Sequence, residues 1–94
     1  IEYTASAGNH TLRTKLAGYY QKLGISLTEE DILITTGGSE AILFAFMSTL
    51  NEGDEIIIPE PFYANYTAFA LMVGAKIKTV TAKIEDNFAI PKEL

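Results

Sequence analysis

Cysteine is absent from this sequence of 94 residues, and histidine occurs only at His10. Without cysteine the chain has no disulfide framework and no thiolate metal site. A single imidazole does not form a metal cluster unaided, so no metal site is predicted. We expect His10 to face solvent or to cap a helix locally rather than to act in catalysis.

Basic residues are scarce as well: seven lysines and arginines stand against twelve aspartates and glutamates, for a net charge of −5. No basic patch is present, which argues against binding to nucleic acid or to an anionic membrane surface. The sequence also lacks a signal peptide and any apolar run of about 18 residues, so no membrane span is predicted. A cytoplasmic location is therefore expected.

What the sequence has in quantity is apolar residues, which make up 48% of the chain and include five phenylalanines and five tyrosines. This composition is typical of a folded chain, and 94 residues form at most one small domain. The first residue is not methionine, and Pro91 stands where a further helix could begin. We therefore expect residues 1–94 to be a piece of a longer protein, truncated at both ends. The alternative is a small complete domain with frayed ends.

The first apolar stretch has helical spacing and follows a good N-cap residue, Asn9. It predicts a helix from His10 that ends before Gly24, a residue suited to the position after a helix. Arg13 is expected on or beside the polar side of this helix. The predicted buried face consists of Leu12, Leu16, Tyr19, Tyr20 and Leu23.

The remaining chain alternates between strand and helix patterns. Continuous apolar runs such as Ile56-Ile57-Ile58 are typical of parallel strands buried on both faces. Thr28 to Asp31 resembles a capping-box turn, and Pro59 and Pro61 are expected to end the second strand. The order helix–β–α–β–α–β predicts an α/β layered domain. The predicted strands are Asp31–Thr36, Glu55–Pro59 and Lys76–Ala82, and the later helices are Ser39–Leu50, expected to be buried between layers, and Phe62–Gly74.

One stretch stands out: an apolar run that ends in Gly37-Gly38, followed by Ser39 as a candidate N-cap. Glycines let the backbone approach a ligand closely, and the first N–H groups of a helix lack intrahelical partners. The stretch therefore predicts a phosphate site, with Glu40 directed away from it. The alternative is an ordinary strand-to-helix turn. Because ligands of parallel sheets bind at the carboxyl ends of strands, we expect Pro61 to Tyr63 in the same pocket.

Several motifs, in this order, resemble those of the class I/II aminotransferases, which are pyridoxal-phosphate enzymes of fold type I, and are closest to the aspartate aminotransferase-like branch. The resemblance covers the whole chain. It implies that residues 1–94 are a partial cofactor-binding large domain, from a three-layer α/β/α fold with a mainly parallel sheet. It also implies that the first predicted strand does not adjoin the other two. The motifs are Tyr3 to Gly8, Leu12-Arg13, Thr36 to Ala41, Gly53-Asp54-Glu55 and Pro59 to Tyr66.

The same resemblance implies roles for individual residues toward pyridoxal 5'-phosphate. The loop of Gly37, Gly38 and Ser39 matches the phosphate loop, with the N–H groups of Gly38 and Ser39 as donors. Tyr63 matches the aromatic residue that stacks on the pyridine ring. Tyr3 matches a tyrosine that reaches the phosphate of the neighbouring subunit, so a homodimer is implied.

The resemblance does not supply a catalytic residue. The family's lysine that binds the cofactor covalently and transfers the proton has no match here, nor do the aspartate at the pyridine nitrogen and the arginine for the substrate carboxylate. We therefore expect the parent protein to transfer an amino group from an amino acid to a 2-oxo acid, and this piece alone to be inactive. Two alternatives stay open: a small phosphate- or nucleotide-binding α/β module, and a lyase of the same fold.

Overall fold

The computed structural model describes residues 3–91. The chain divides into two compact units, of which the first ends at Ala41 and the second begins at Ile42. Each unit is described by itself below. The elements in chain order are α1 (His10–Lys22), a 3-10 helix (Glu29–Asp31), α2 (Gly38–Thr49), β1 (Glu55–Glu60), α3 (Asn65–Met72), β2 (Lys76–Thr81) and a second 3-10 helix (Ile84–Asp86).

Helix α1 begins and ends where its sequence predicts. The Asn9 side chain accepts a hydrogen bond from the Leu12 N–H at 3.0 Å, which satisfies one of the free donors of the first turn. Gly24 follows the C-cap with φ of +81°, a conformation that glycine adopts without a Cβ penalty. Local sequence therefore determines both ends of this helix.

The buried face of α1 differs from the prediction. Arg13 and Ala17, four residues apart, are the buried residues of the helix. Arg13 is only 6% exposed, because its Nη1 donates to the Glu29 carbonyl at 2.8 Å and its stem covers the helix surface. The placement of Arg13 on the polar side was wrong. Of the residues predicted to be buried, Leu16 is half-buried, and those left exposed are Leu12, Tyr19, Tyr20 and Leu23.

The predicted strand Asp31–Thr36 is not a strand among the described residues. Its first residue belongs to the 3-10 helix, and the backbone is extended at Ile32, with φ −119° and ψ 123°. Within this segment, the Ile34 N–H donates a hydrogen bond to the Ala7 carbonyl at 2.9 Å. An extended segment becomes a strand only when a ladder partner lies beside it, and residues 3–91 do not provide one here.

The second unit contains a parallel pair of strands, as predicted. β1 pairs with β2 from Glu55 opposite Lys76 to Glu60 opposite Thr81, and α3 forms the crossover between them. Ile58 of β1 and Ala70 of α3 are buried between the sheet and the helix. The α/β class and the parallel pairing are therefore confirmed.

Pro59 lies within β1 and does not end it, contrary to the prediction. The carbonyls of Asp54 and Glu60 accept hydrogen bonds from Lys76 and Ala82, each at 2.8 Å. Backbone groups of alternate residues in a parallel strand point to opposite edges, so Pro59 directs its backbone away from β2. Its missing N–H therefore costs no bond in this pair.

Helix α2 has nearly its predicted bounds, but none of its residues is buried within the described part of the chain. Met47, for example, is 62% exposed. The prediction of a helix enclosed between layers is therefore wrong for this chain, because a two-stranded sheet with one crossover helix offers too few layers to enclose it. None of the helices formed by residues 3–91 combines the length and the hydropathy needed to cross a membrane.

Candidate functional site

The glycine loop is the sequence Gly37-Gly38-Ser39 with its neighbours on either side, and its turn occurs at Gly37. Gly37 has φ of +85°, and its carbonyl accepts from the Ala41 N–H at 3.4 Å. Gly37 therefore occupies the N-cap position, and α2 begins at Gly38. Ser39 is the second helical residue, so its predicted role as N-cap was wrong. Because the chain makes a left-handed turn at Gly37, α2 begins two residues earlier than it would with Ser39 as its N-cap.

Three consecutive N–H groups at the start of α2 have no acceptor among residues 3–91. They belong to Gly38, Ser39 and Glu40, and the loop is exposed. These groups stand at the positive end of the helix dipole, where they attract an anion. The geometry therefore provides a row of backbone donors of the kind that binds phosphate.

Short hydrogen bonds within the loop hold it in this conformation. Glu40 Oε2 accepts from the Thr36 N–H at 2.6 Å. The Thr35 hydroxyl donates to the Gly37 carbonyl at 2.9 Å, and the Gly37 N–H donates to the Thr35 carbonyl at 3.0 Å. The Glu40 carboxylate is thus held by Thr36. That it lies away from a bound phosphate stays a prediction.

The two glycines of the loop are required for different reasons. Gly37 needs its positive φ, whereas the φ of Gly38 lies outside the left-handed region. A Cβ placed on Gly38 would meet no atom within 4 Å. The fold itself therefore does not require glycine at position 38. A side chain there would occupy open space directly beside the free N–H groups.

Tyr63 lies between β1 and α3, and the residue is 54% exposed. Its hydroxyl accepts from Asn65 Nδ2 at 2.6 Å, and its ring meets that of Tyr66 edge to face at 5.8 Å. Tyr66 in turn stacks nearly parallel with Phe62 at 6.1 Å. The aromatic cluster and the hydrogen bond fix the orientation of Tyr63 and leave much of its ring open to a flat ligand.

A cavity of about 520 Å³ opens at the carboxyl ends of both strands of the second unit. Glu60, Pro61 and Phe62 line one side, and Thr81 and Ala82 line the other. Tyr63 is not among its lining residues. That this aromatic segment shares one pocket with the glycine loop stays a prediction, because the two lie in different units.

Tyr3 is 96% exposed and lies in the first unit. With Ala5, Gly8 and His10 it lines an open cleft of about 420 Å³. The ring is therefore accessible, and its predicted reach to a neighbouring subunit stays a prediction. The His10 side chain is 69% exposed and lies 3.8 Å from a Glu29 carboxylate oxygen, which agrees with its expected place in solvent.

Sequence reasoning did not identify the structural role of Gly8. Gly8 has φ of +95°, and a Cβ there would lie 2.5 Å from the Cβ of Ile34. The adjacent Ala7 carbonyl accepts from the Ile34 N–H. The segment that carries Tyr3 is thus packed against the residues that lead into the glycine loop. The sequence feature that could have indicated this role is the position of Gly8 directly before the N-cap residue Asn9.

The turn that precedes the extended run forms the predicted capping-box arrangement. The Thr28 N–H and hydroxyl each donate to Asp31 Oδ2 at 2.9 Å. These bonds, the backbone one first, lower the pKa of the Asp31 carboxyl below its ordinary value. Arg13 holds the same turn through the Glu29 carbonyl, and its own buried Nε has no acceptor among the described residues.

A comparison with protein families shows which family the chain belongs to. The family model described as "Aminotransferase class I and II" matches residues 1–93. The chain belongs to the class I and II aminotransferases. The resemblance carried by the glycine and tyrosine motifs is thereby confirmed, and the phosphate- or nucleotide-binding module is not favoured.

Individual members of the family show how much of such a protein this chain represents. It is 39% identical over 87 residues to an aspartate aminotransferase of Pyrococcus horikoshii, covering 92% of this chain and 22% of that protein. It is 31% identical over 88 residues to an aspartate/prephenate aminotransferase of Thermus thermophilus, covering 93% of this chain and 23% of the relative. The chain thus spans less than a quarter of the length of these aminotransferases.

Solved aminotransferase structures share the fold of the chain. The aspartate aminotransferase of Thermus thermophilus with maleate superimposes with a TM-score of 0.89 at 30% identity, covering 96% of this chain and 24% of that one. An aromatic aminotransferase of Pyrococcus horikoshii superimposes with a TM-score of 0.89 at 27% identity, covering 96% and 25%. The chain is therefore a part of the aminotransferase fold.

Proposed function

We propose that residues 1–94 form part of the large domain of an enzyme that uses pyridoxal 5'-phosphate to transfer an amino group from an amino acid to a 2-oxo acid. The observation that carries this proposal is the glycine loop. Among the described residues, it combines three N–H groups that have no acceptor with open space beside Gly38. The aminotransferase relatives support this reading over a lyase of the same fold.

The residues present fit the phosphate and the ring of this cofactor. The N–H groups of Gly38 and Ser39 would hold the phosphate at the positive end of α2, with Gly37 supplying the turn. The open ring of Tyr63 would stack on the pyridine. Tyr3 would reach the phosphate of the neighbouring subunit, which makes the parent a homodimer. When bound, this cofactor stabilises negative charge on the substrate carbon that loses a proton.

The chain's own residues would bind and orient, and would not transfer the proton. The lysines at positions 76 and 78 lie on β2, Lys83 follows it, and Lys92 lies outside the described residues. None stands in a motif that matches the family's catalytic lysine. We infer that this lysine, the substrate-binding groups and the remaining sheet lie in the rest of the parent protein. A cytoplasmic location, without nucleic-acid or membrane partners, is part of the same proposal.

Covalent labelling tests the proposal in the full-length parent protein. Incubation with pyridoxal 5'-phosphate, reduction with borohydride and peptide mapping should place one stoichiometric label on a lysine outside residues 1–94. The full-length protein should transaminate, and the isolated chain should not, because it lacks that lysine. A single stoichiometric label on any lysine within residues 1–94, accompanied by turnover of the isolated chain, would overturn this assignment.

A further inference from the structure

We propose that Glu40 is a positioning residue for the phosphate, acting through the backbone of the glycine loop; this inference rests on the proposed function. Its carboxylate accepts the Thr36 N–H at 2.6 Å, across the turn at Gly37. Glu40 is half-buried, whereas residues 36–39 are exposed. A glutamate in the first turn of a helix that binds an anion requires such an explanation, because its charge has the sign of the ligand.

The first part of the argument concerns the shape of the loop. Among the described residues, the Thr36 N–H has Glu40 as its acceptor. The bond closes a ring that begins before the left-handed residue Gly37 and ends inside α2. It therefore fixes the direction in which the chain enters the helix, and with it the direction of the N–H groups of Gly38 and Ser39.

The second part concerns charge. A carboxylate in the first helical turn is attracted to the free N–H groups there, as in a capping box. A Glu40 side chain without its bond to Thr36 would be available to those same donors and would compete with a phosphate. A carboxylate bound by Thr36 instead keeps its favourable interaction with the helix dipole. The N–H groups of Gly38 and Ser39 stay open to the ligand.

The experiment separates the hydrogen bond from the charge in the full-length parent protein. Glu40→Gln keeps an oxygen that can accept from Thr36 and removes the charge, whereas Glu40→Ala removes both. Glu30→Gln and Glu30→Ala are matched controls, since Glu30 is exposed and makes no side-chain hydrogen bond among the described residues. Dissociation constants are measured by absorbance titration with pyridoxal 5'-phosphate and with pyridoxal, which lacks the phosphate. Apo melting temperatures are measured alongside.

We expect Glu40→Ala to weaken pyridoxal 5'-phosphate binding about tenfold, because the hydrogen bond that fixes the loop is lost. Pyridoxal binding should not change, because the loop acts on the phosphate. Glu40→Gln should stay within about twofold of the wild type, as a neutral amide oxygen still accepts the bond. If Glu40→Ala melts far below the wild type, Glu40→Met replaces it, since it keeps the aliphatic stem and has no oxygen to accept from Thr36.

Three results would overturn this role. Equal losses in the glutamine and alanine variants would assign the effect to charge, and unchanged affinity in both would remove any role. Equal losses for pyridoxal and its phosphate would show a general effect on folding. A wild-type parent that binds pyridoxal 5'-phosphate no better than pyridoxal would refute the proposed function itself, which is distinguishable from these results because it appears without any substitution.

Discussion

The glycine loop and the aromatic segment around Tyr63 differ in which part of the chain meets the proposed ligand. The loop offers backbone N–H groups and an empty space beside Gly38, so its chemistry depends on the absence of a side chain. The aromatic segment offers the face of one ring, held in place by Asn65 and Tyr66. The loop should therefore tolerate almost no substitution, whereas Tyr63 should accept any flat ring.

The loop itself contains a sharper version of this contrast. Gly37 is constrained by its own backbone conformation, and Gly38 by the space that a ligand would fill. A substitution at the first position should therefore change stability with or without cofactor. At the second position a substitution should change binding alone. Variants of the full-length parent protein test this difference between the two glycines.

The largest effect is expected for Gly38→Val, which should weaken binding of pyridoxal 5'-phosphate by more than about a hundredfold. The side chain would displace the phosphate from two charge-assisted hydrogen bonds, each worth about 1.5–3 kcal/mol. The apo protein should melt near the wild type, because a Cβ at this position meets no atom within 4 Å. Melting curves with and without cofactor check both statements.

Gly37→Ala is the control for that variant. It should destabilise apo and loaded protein alike by about 1–2 kcal/mol, because alanine is strained in the left-handed region. Cofactor raises stability by RT ln(1 + [L]/Kd), so the cofactor-induced shift reports binding. The phosphate role of Gly38 would be wrong if the Gly38→Val protein kept the full cofactor-induced shift in melting temperature but melted lower both with and without cofactor. Gly38 would then serve only the turn.

A smaller effect, on stability rather than on binding, is expected at Gly8. Gly8→Ala should destabilise the parent by about 2 kcal/mol, because it combines a positive φ with a Cβ 2.5 Å from that of Ile34. Gly18→Ala in α1 is the matched control, since its Cβ meets nothing within 4 Å, and it should stabilise slightly. Chemical denaturation measures both. Equal stability of the two variants would contradict the packing of Gly8 on Ile34.

The smallest effect is expected at the aromatic segment. Tyr63→Ala should weaken cofactor binding by about 1 kcal/mol, or about fivefold, through loss of ring stacking. Tyr63→Phe should bind nearly as the wild type, because the ring face is retained and only the bond to Asn65 is lost. Absorbance titration compares the two variants. Equal weakening in both would assign the role of Tyr63 to its hydroxyl and would remove the contrast with the loop.

The features that could be predicted from sequence are those that local residues determine. Asn9 and Gly24 define the ends of α1 through a side-chain cap and a left-handed residue, so they need no partner elsewhere. The parallel pair β1 and β2 was also predicted, because both strands and their crossover lie within about thirty residues of each other. Residues 32–36 do not form a strand because residues 3–91 offer them no ladder partner.

The same distinction holds in the candidate site, between features that local residues determine and features that do not follow from local sequence. From local chemistry alone the glycine pair predicts either a phosphate loop or an ordinary strand-to-helix turn, and the N–H groups without an acceptor among the described residues are compatible with both. The bond between Glu40 and Thr36 depends on a rotamer and a turn that no spacing rule specifies. The burial of Arg13 depends on the Glu29 carbonyl, sixteen residues away. The roles of Tyr3 and Tyr63 came from the resemblance to the family, since a lone tyrosine carries no signal of its own.

Pro59 limits the hydrogen bonds that the second edge of β1 offers to another strand. Among the described residues, the edge of β1 opposite β2 has no partner, and an unpaired strand edge is a template for pairing with other copies. Pro59, whose backbone points to that edge, cannot donate a hydrogen bond to an incoming strand and so interrupts the template after Ile57. A proline at such an edge is one of the features that keep unpaired strands from pairing with other copies.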